Sequence, residues 1–244
     1  EITPEEAVQR ALAAGARTIA WTYNEPTIWY EYTYDCAKLA KEAGLATAYI
    51  TNGYITKEAM EHISPYLDAF RVDIKAFTED FYKKVASAKL APVLGSAKLA
   101  RELGMHVEVV NLVIPDHNDS SEEIRNMVKW VYENLGADTP LHFTRFHPQY
   151  HMSDLIPTPI QKLEEAHRIA TEEGMKFVYT GNMPGHDHEN TYCPACRKLL
   201  IRRRMFSMVE YDITPEGTCP RCGEPIPVVG ATQDEWANRS EEIQ

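Results

Sequence analysis

The chain has 244 residues, of which 44% are hydrophobic, so it can bury one large core or a core with a small annex. Its 25 basic and 36 acidic residues give a net charge of −11. That charge argues against a general nucleic-acid or membrane-surface binder, because such proteins present a basic surface. Since no apolar run nears the ~20 residues that span a bilayer and no signal-peptide pattern is present, we expect a cytoplasmic protein without nucleic-acid or membrane partners.

Capping residues predict where several helices begin. Thr3 precedes Pro4, and Thr158 precedes Pro159, in the way that a cap residue precedes a first-turn proline. Residues 120–123 read SSEE, which offers a capping box before apolar positions at helical spacing.

Strands are predicted wherever a helical pattern ends in glycine and an apolar run follows. The segments are AAGARTIAW at 13–21, EAGLATAYI at 42–50, ELGMHVEVV at 102–110 and EEGMKFVYT at 172–180. Glycine just past a helix adopts the left-handed conformation at no steric cost. The runs are almost continuously apolar, which is typical of strands covered on both faces. Two further strands are predicted at 69–74 and 141–146.

Helices and strands therefore alternate to about residue 180, which predicts an α/β fold with a parallel sheet, open or rolled into a barrel. Because the chain opens on a helix, we expect a partial parallel (β/α) barrel that lacks its first βα unit. From about residue 192 the sequence changes to C-x-x-C pairs and prolines. We divide the chain into a main domain at 1–188, a small metal-binding annex at 189–230 and a polar tail at 231–244.

Four of the five cysteines form two C-x-x-C pairs, which join Cys193 with Cys196 and Cys219 with Cys222. Thiols are expected to be reduced in a protein without a secretory signal, so metal binding is favoured over disulfides. Two such pairs complete a tetrahedral site of four thiolates with no open position, which is typical of structural zinc. Iron in a rubredoxin-like site and four unligated thiols are the alternatives. Cys36 stands alone in a helical stretch.

One basic group interrupts the acidic sequence. It consists of Arg197, Lys198, Arg202, Arg203 and Arg204. We interpret it as a solvated face, with a phosphate or partner site as the alternative.

Polar residues follow the predicted strands at their carboxyl ends, where parallel α/β folds bind ligands. The segments are Tyr23-Asn24-Glu25-Pro26, Thr51-Asn52-Gly53-Tyr54, Asp73-Ile74-Lys75, Asn111 to Pro115 with Asn118 and Asp119, Arg145-Phe146-His147-Pro148, and Thr180-Gly181-Asn182. Together they predict a cup lined with carboxylates, amides and one lysine.

Each member of this cup has a purely structural alternative. Glu25 could cap the helix that begins near Thr27, and Asp73 and Lys75 could form an ion pair, since positions i and i+2 share one face of a strand. His147 could be an ordinary hydrogen-bonded loop residue. Their convergence on one end of the sheet favours a ligand site.

In this order, the strand ends resemble the radical S-adenosylmethionine (SAM) superfamily, and most closely proteins similar to pyruvate formate-lyase-activating enzyme in the AmmeMemoRadiSam branch. TYNEP (22–26) looks like the Gly-Gly-Glu segment that receives the amino group of the SAM methionine, ITNGY (50–54) like the T-N-G turn, and VDIKAF (72–77) like the D-x-K strand. NLVIPDHND (111–119) and RFHPQY (145–150) resemble the fifth- and sixth-strand segments. YTGNMPGHDHENTYCPAC (179–196) with the later CPRC resembles the branch's zinc-ribbon-like tail.

The resemblance implies an enzyme in which a [4Fe–4S] cluster reduces SAM to methionine and a 5′-deoxyadenosyl radical that abstracts hydrogen from a substrate. It implies that Glu25 and Asn24, with the Tyr23–Asn24 backbone, hold the methionine ammonium, which needs carboxylate and carbonyl acceptors. It further implies that Thr51 and Asn52 shape the SAM pocket.

The remaining cup residues receive roles from the same resemblance. Asp73 and Lys75 are candidate catalytic residues that face SAM or substrate, and Asn111 and His147 are further candidates for cofactor binding. A flavodoxin or ferredoxin is implied as electron donor. The likeness to a glycyl-radical activase suggests a protein or peptide substrate.

Two features depart from the family pattern. The cluster-binding C-x3-C-x2-C loop lies upstream of the Gly-Gly-Glu strand in the family, and nothing in residues 1–244 matches it. We therefore expect an N-terminally incomplete chain that is inactive by itself. Ile50 stands where some activating enzymes carry an acidic residue for a cation, so we do not expect that cation site. A cluster-free, zinc-containing binding or assembly module and a cluster-independent hydrolase or lyase are the alternative functions.

Overall fold

The structure is a computed structural model that describes residues 2–204 and 207–228; the predicted tail at 231–244 lies outside them. The helices are α1 (Pro4–Ala13), α2 (Tyr30–Glu42), α3 (Lys57–Ile63), α4 (Glu79–Lys84), α5 (Leu90–Glu102), α6 (Ser121–Leu135) and α7 (Ile160–Glu172). The strands are β1 (Thr18–Trp21), β2 (Ala46–Thr51), β3 (Ala69–Asp73), β4 (His106–Val113), β5 (Leu141–Arg145), β6 (Val178–Gly181), β7 (Thr191–Tyr192), β8 (Leu199–Arg204) and β9 (Ser207–Tyr211).

The main sheet contains six parallel strands in the order β1-β2-β3-β4-β5-β6, so each strand pairs with the next strand along the chain. Within the described residues β1 and β6 do not pair, and the barrel is not closed. The predicted α/β fold with a partial parallel barrel is confirmed. None of the described helices is long and apolar enough to cross a membrane.

The local signals at helix ends are mostly confirmed. Thr3 caps α1 in a reciprocal capping box with Glu6. The four predicted C-terminal glycines all have positive φ, between 65° at Gly15 and 97° at Gly174. Ser120 caps α6, but its predicted box partner Glu123 accepts a hydrogen bond from the Phe77 backbone instead.

The prediction that Thr158 caps α7 is wrong. Its buried hydroxyl donates to Val113 O at 2.6 Å and accepts from Phe146 N at 2.9 Å. The side chain thus joins the ends of β4 and β5, and α7 begins after Pro159 without a side-chain cap.

The prediction that the strands are covered on both faces is also wrong. Burial alternates along β2, where Thr47, Tyr49 and Thr51 are buried and the residues between them are only half-buried. The buried face packs with helix residues in one large core around Phe70 and Phe143. The other face, which we call the open face, carries the polar side chains Arg71, Asp73, Glu108, His142 and Tyr179. The helices cover one face only, so apolar and polar positions alternate.

A second, antiparallel sheet of β7, β8 and β9 forms the annex. It has its own core, in which Leu200, Ile201 and Ile213 surround the buried Cys193 and Cys219. Phe177, directly before β6, belongs to the same core and so connects the annex to the main sheet. The domain boundary at 188 stays a prediction.

Candidate functional site

Glu25 lies at the carboxyl end of β1 and connects it to β2. Its side chain is 8% exposed and accepts four hydrogen bonds. Oε1 accepts from Thr27 N, Thr27 Oγ1 and Thr51 Oγ1, the last at 2.6 Å, whereas Oε2 accepts from Asn52 N alone, at 2.7 Å. Glu25 also caps the 3-10 turn at Pro26–Trp29, as the structural alternative expected. Because a carboxylate oxygen has two lone pairs, Oε2 keeps one position for a further donor.

The end of β2 is fixed by close packing around Gly53. Gly53 has φ of 78°, and a Cβ built on it would lie 2.8 Å from Val72 Cγ2. Thr51 Oγ1 accepts from Gly53 N, and Ser96 donates to Gly53 O. The Asn52 side chain is exposed and accepts from Tyr54 N, a local turn of the kind that asparagine side chains form.

Asp73 and Lys75 form an ion pair of 2.6 Å at the end of β3. The pair uses Asp73 Oδ2, while the buried Oδ1 has no hydrogen-bond partner among the described residues. A buried acceptor without a partner is costly, so this oxygen points to a ligand or water that donates to it. Ile50 lies on the same face, opposite Arg71 in the β2–β3 register.

Two asparagines connect the end of β4 to the end of β3. Asn111 donates to Ile74 O at 2.9 Å, and Asn118 donates to Lys75 O at 2.6 Å while accepting from Ile114 N. Asn111 is buried, and its Oδ1 also lacks a partner within the described part of the chain. These contacts support the loop that follows β4.

The predicted cup is assembled in part. Glu25, Thr51 and Asn52 touch one another directly, and Asn111 joins the backbone of the Asp73–Lys75 segment. Tyr23 and Asn24 are exposed beside Glu25, and His147 is exposed in the loop after β5. The assigned roles of all these residues stay predictions.

The four annex cysteines converge as their spacing predicts. Their sulfurs lie within 4.8 Å of one another, with Cys193–Cys222 at 3.6 Å and Cys196–Cys219 at 3.7 Å. A tetrahedral site with metal–sulfur bonds of about 2.3 Å has edges of about 3.8 Å, so the donor set fits one zinc or iron ion. Residues 2–204 and 207–228 hold no other group of three or more His, Cys, Asp or Glu side chains whose ligand atoms all lie this close to one another.

The sequence interpretation missed a polar cluster on the open face. Glu108 lies between His106 and His142, with Nε2 distances of 3.2 and 3.4 Å. His142 stacks on Tyr179 at 4.9 Å between ring centroids. These residues line a cavity of about 530 Å³ between β4–β6 and the annex. The alternation of His106 and Glu108 within an otherwise apolar strand is the signal that was available in the sequence.

Comparisons with known proteins identify the family. Residues 1–131 match the family model described as the radical SAM superfamily. The uncharacterized protein MJ0808 of Methanocaldococcus jannaschii is 47% identical over 231 residues, which cover 94% of this chain and 68% of that protein. The pyruvate formate-lyase-activating enzyme of Clostridium pasteurianum is 27% identical over 137 residues, 54% of this chain and 57% of that enzyme. The chain belongs to the radical SAM superfamily.

Solved structures support the fold. A domain of pyruvate-formate lyase-activating enzyme from Bacteroides vulgatus aligns with a TM-score of 0.60 and 13% identity, over 67% of this chain and 98% of that domain. SuiB of Streptococcus suis bound to S-adenosylmethionine aligns with a TM-score of 0.58 and 14% identity, over 73% of this chain and 41% of SuiB. SuiB has also been solved bound to the precursor peptide SuiA. Family membership implies an enzyme family that uses SAM and an iron–sulfur cluster.

Proposed function

We propose that this chain is the SAM-binding core of a radical SAM enzyme similar to pyruvate formate-lyase-activating enzyme. The observation that carries the proposal is the junction of β1 and β2, where Glu25 meets Thr51 and Asn52 at 2.6 and 2.7 Å. Its support is twofold: the superfamily match, and an ordered set of polar strand ends on one edge of a parallel sheet.

Glu25 is the proposed receptor of the methionine ammonium of SAM. Oε1 is saturated by hydrogen bonds within the protein, so Oε2 is the atom that would accept from the ammonium. The bonds from Thr27 and Thr51 keep the carboxylate in position before the ligand arrives, which lowers the entropy cost of binding. In this account the cap and the ligand clamp are two roles of one side chain.

Asp73 and Lys75 are proposed to face SAM or the substrate. The unpartnered Oδ1 of Asp73 would accept a hydrogen bond from a bound hydroxyl or ammonium group, while Lys75 holds the second oxygen. Asn111 would keep this pair in place through the backbone carbonyls that follow β3, and His147 would close the cup from the loop after β5. Each assignment rests on the strand-end position and the chemistry of the side chain.

The iron–sulfur cluster does not fit residues of this chain. Residues 1–244 contain no C-x3-C-x2-C motif, and the four clustered cysteines lie in the annex with C-x-x-C spacing. In the family the [4Fe–4S] cluster supplies the electron that cleaves SAM. We therefore assign the described residues to binding and orientation, and expect a polypeptide of residues 1–244 alone to bind SAM without cleaving it.

The remaining assignments complete the proposal. We propose zinc, in a structural role, at Cys193, Cys196, Cys219 and Cys222, because four thiolates leave no open coordination position. We further propose a cytoplasmic setting, a flavodoxin or ferredoxin as electron donor and a protein or peptide substrate. The peptide-bound state of SuiB supports only the last of these.

Calorimetric titration with SAM tests the clamp. Glu25→Gln keeps the size of the side chain and removes its charge, so SAM affinity should fall by about 1.5–3 kcal/mol, the scale of a charge-assisted hydrogen bond. Glu31→Gln is the matched control, since Glu31 is an exposed carboxylate in the first turn of α2. Its SAM affinity should equal that of the parent chain.

Two outcomes of this titration would contradict the proposal. Equal SAM affinity in Glu25→Gln and the parent would exclude the ammonium role of Glu25. If the parent chain itself shows no heat of SAM binding but retains one zinc ion, the cluster-free binding or assembly module becomes the better account.

A further inference from the structure

The cavity between the main sheet and the annex contains a cation that has no carboxylate partner among the described residues. Arg203, on β8, is half-buried and lines this cavity. The adjacent Arg202 is exposed and pairs with Glu210 at 3.0 Å. Among the described residues no carboxylate lies within ion-pair distance of Arg203. A guanidinium without a carboxylate partner keeps its charge and its remaining donors available for an anionic ligand.

Arg203 is held rigidly by neutral groups. Its Nη1 donates to Thr191 Oγ1 at 2.7 Å and to Glu189 O at 3.2 Å. The guanidinium lies over the Tyr179 ring at 5.4 Å, and the Tyr179 hydroxyl bonds Thr191 Oγ1. The guanidinium is therefore held in position before a ligand binds. A ligand that accepts from its remaining N–H groups would pay no entropy cost for ordering this side chain.

The carboxylates that line the cavity are engaged elsewhere. Glu108 lies between His106 and His142, and Glu189 Oε2 accepts from Gly185 N at 2.9 Å. Neither carboxylate neutralises the charge of Arg203. Their negative charges repel anions in the same cavity, and this repulsion is larger for a dianion than for a monoanion. The combination favours a singly charged planar carboxylate over a phosphate.

Part of the wall is apolar. Phe177, Met183, Ile201, Ile226 and Val228 line the cavity. Its volume of about 530 Å³ falls in the range of small-molecule sites. The lining also includes Gly181 and Asn182, at the carboxyl end of β6, which belong to the predicted cup.

We propose that this cavity binds the carboxylate end of an organic acid, with Arg203 as its receptor and the apolar wall around its body. The acid is either a small molecule or the C-terminus of a peptide, since both present the same group. Only the further step, that this acid is the substrate of the radical reaction, rests on the proposed function. The two arginines of the basic group therefore differ: Arg202 lies on the solvated face, and Arg203 belongs to the proposed carboxylate site.

Binding of 3-phenylpropionate, followed by NMR titration of the full chain without SAM, tests the site. The acid should bind with a millimolar dissociation constant, and its neutral amide should not bind. Arg203→Met should weaken binding of the acid by at least ~tenfold, because the substitution removes a charge-assisted bidentate contact. Arg202→Met is the matched control and should leave the affinity unchanged.

A peptide pair distinguishes the two sources of the carboxylate. Binding of acetyl-Gly-Gly-Phe but not of 3-phenylpropionate would assign the site to a peptide C-terminus, provided that the C-terminal amide of the peptide fails to bind. Equal binding of acid and amide, unchanged affinity in Arg203→Met, or no binding of either carboxylate would overturn the proposal.

Two further measurements distinguish loss of this site from poor folding and from failure of the proposed SAM site. Arg203→Lys keeps the charge and loses the fork, so its affinity should lie between those of the parent and Arg203→Met even if the latter folds poorly. SAM affinity should be the same in all the Arg203 variants. Loss of carboxylate binding with intact SAM binding concerns this site alone, whereas loss of SAM binding in Glu25→Gln concerns the proposed function.

Discussion

The Glu108 carboxylate is held between two histidine side chains on the open face of the sheet. Burial by itself raises the pKa of Glu108, but the hydrogen bond with His106, the close approach of His142 and the charges of both rings outweigh burial and hold the pKa well below its usual range. Glu108 is therefore ionised over the whole physiological range. It gives the lining of the cavity a fixed negative charge, and so restricts which ligands fit.

Glu108→Gln tests this interaction through its pH dependence. At pH 7 the variant should unfold about 1.5–3 kcal/mol more easily, the scale of hydrogen bonds to a charged group. Because the folded pKa is below the unfolded value of about 4.3, the unfolded state binds more protons in between, and the stabilisation is lost as the pH falls below that value. Urea unfolding of both proteins from pH 7 to pH 3 should show the difference shrinking.

The control for this experiment is Glu133→Gln, which replaces an exposed carboxylate on α6 that forms no ion pair with the described residues. It should change the free energy of unfolding little at any pH. A difference between Glu108→Gln and the parent that stays constant down to pH 3 would exclude the proposed charge interaction.

At the scale of elements, α7 meets the 3-10 turn at Asp187–Glu189 through stacked imidazoles. The rings of His167 and His188 lie 3.6 Å apart, and His186 contacts His188 edge-on at 4.9 Å. Burial, with the nearby His188 and Arg197, lowers the pKa of His167 to about 4. Burial and His186 likewise lower the pKa of His188, against the opposite effect of Glu164 and Asp187. The contact between α7 and this turn is thus built from neutral rings.

Acidification should weaken this contact. Since the folded pKa of His167 lies below the unfolded value of about 6.5, the folded state binds fewer protons, and stability is lost as the pH falls from about 6.5 to 4. His188→Phe keeps a flat ring and removes one proton-binding group. Its free energy of unfolding should therefore fall less between pH 7 and pH 5 than that of the parent.

An NMR titration of the His167 ring gives a direct check. Its midpoint should lie near pH 4 in the parent and higher in His188→Phe. A midpoint near 6.5 in the parent would show that the two rings do not form this buried contact in solution.

The whole molecule combines a sheet-and-helix core with an annex that contains four clustered cysteines. Two of these cysteines, Cys193 and Cys219, are part of the annex core. The same annex supplies Arg203 and Ile201 to the cavity wall. Metal binding in such a small unit supplies folding free energy outright, so the metal site should control the cavity as well as the annex.

Metal removal tests this dependence. Cys219→Ala should lose the bound ion, and protease cleavage within residues 190–228 should become faster by an order of magnitude or more, because the annex opens locally. The circular dichroism of the main sheet and helices should persist. Cys36→Ala is the control, since Cys36 is buried in the main core, and its metal content should stay at one ion per chain. Iron instead of zinc in the purified parent would contradict the proposed ion.

Features that depend on residues close together in the sequence were predictable, whereas features that depend on long-range contacts were not. Strands, helix ends and the cysteine site were accessible because glycine at a C-terminus, Thr3 before Pro4 and paired C-x-x-C turns act within a few residues. The strand ends were accessible too, since parallel strands share one edge. The roles of individual residues were harder to predict. Thr158 has the sequence context of a helix cap, but its side chain joins two strands.

The sequence by itself determined the α/β class, the order of strands along the chain, the metal-type cysteine set and the likeness to radical SAM enzymes. Only the tertiary structure decided that one sheet face is open, that Glu25 contacts Thr51 and Asn52, and that Arg203 lines a cavity with Glu108. The physical reason is that these contacts depend on strand register and on the docking of the annex. Both bring together residues whose separation along the chain carries no information about their distance in space.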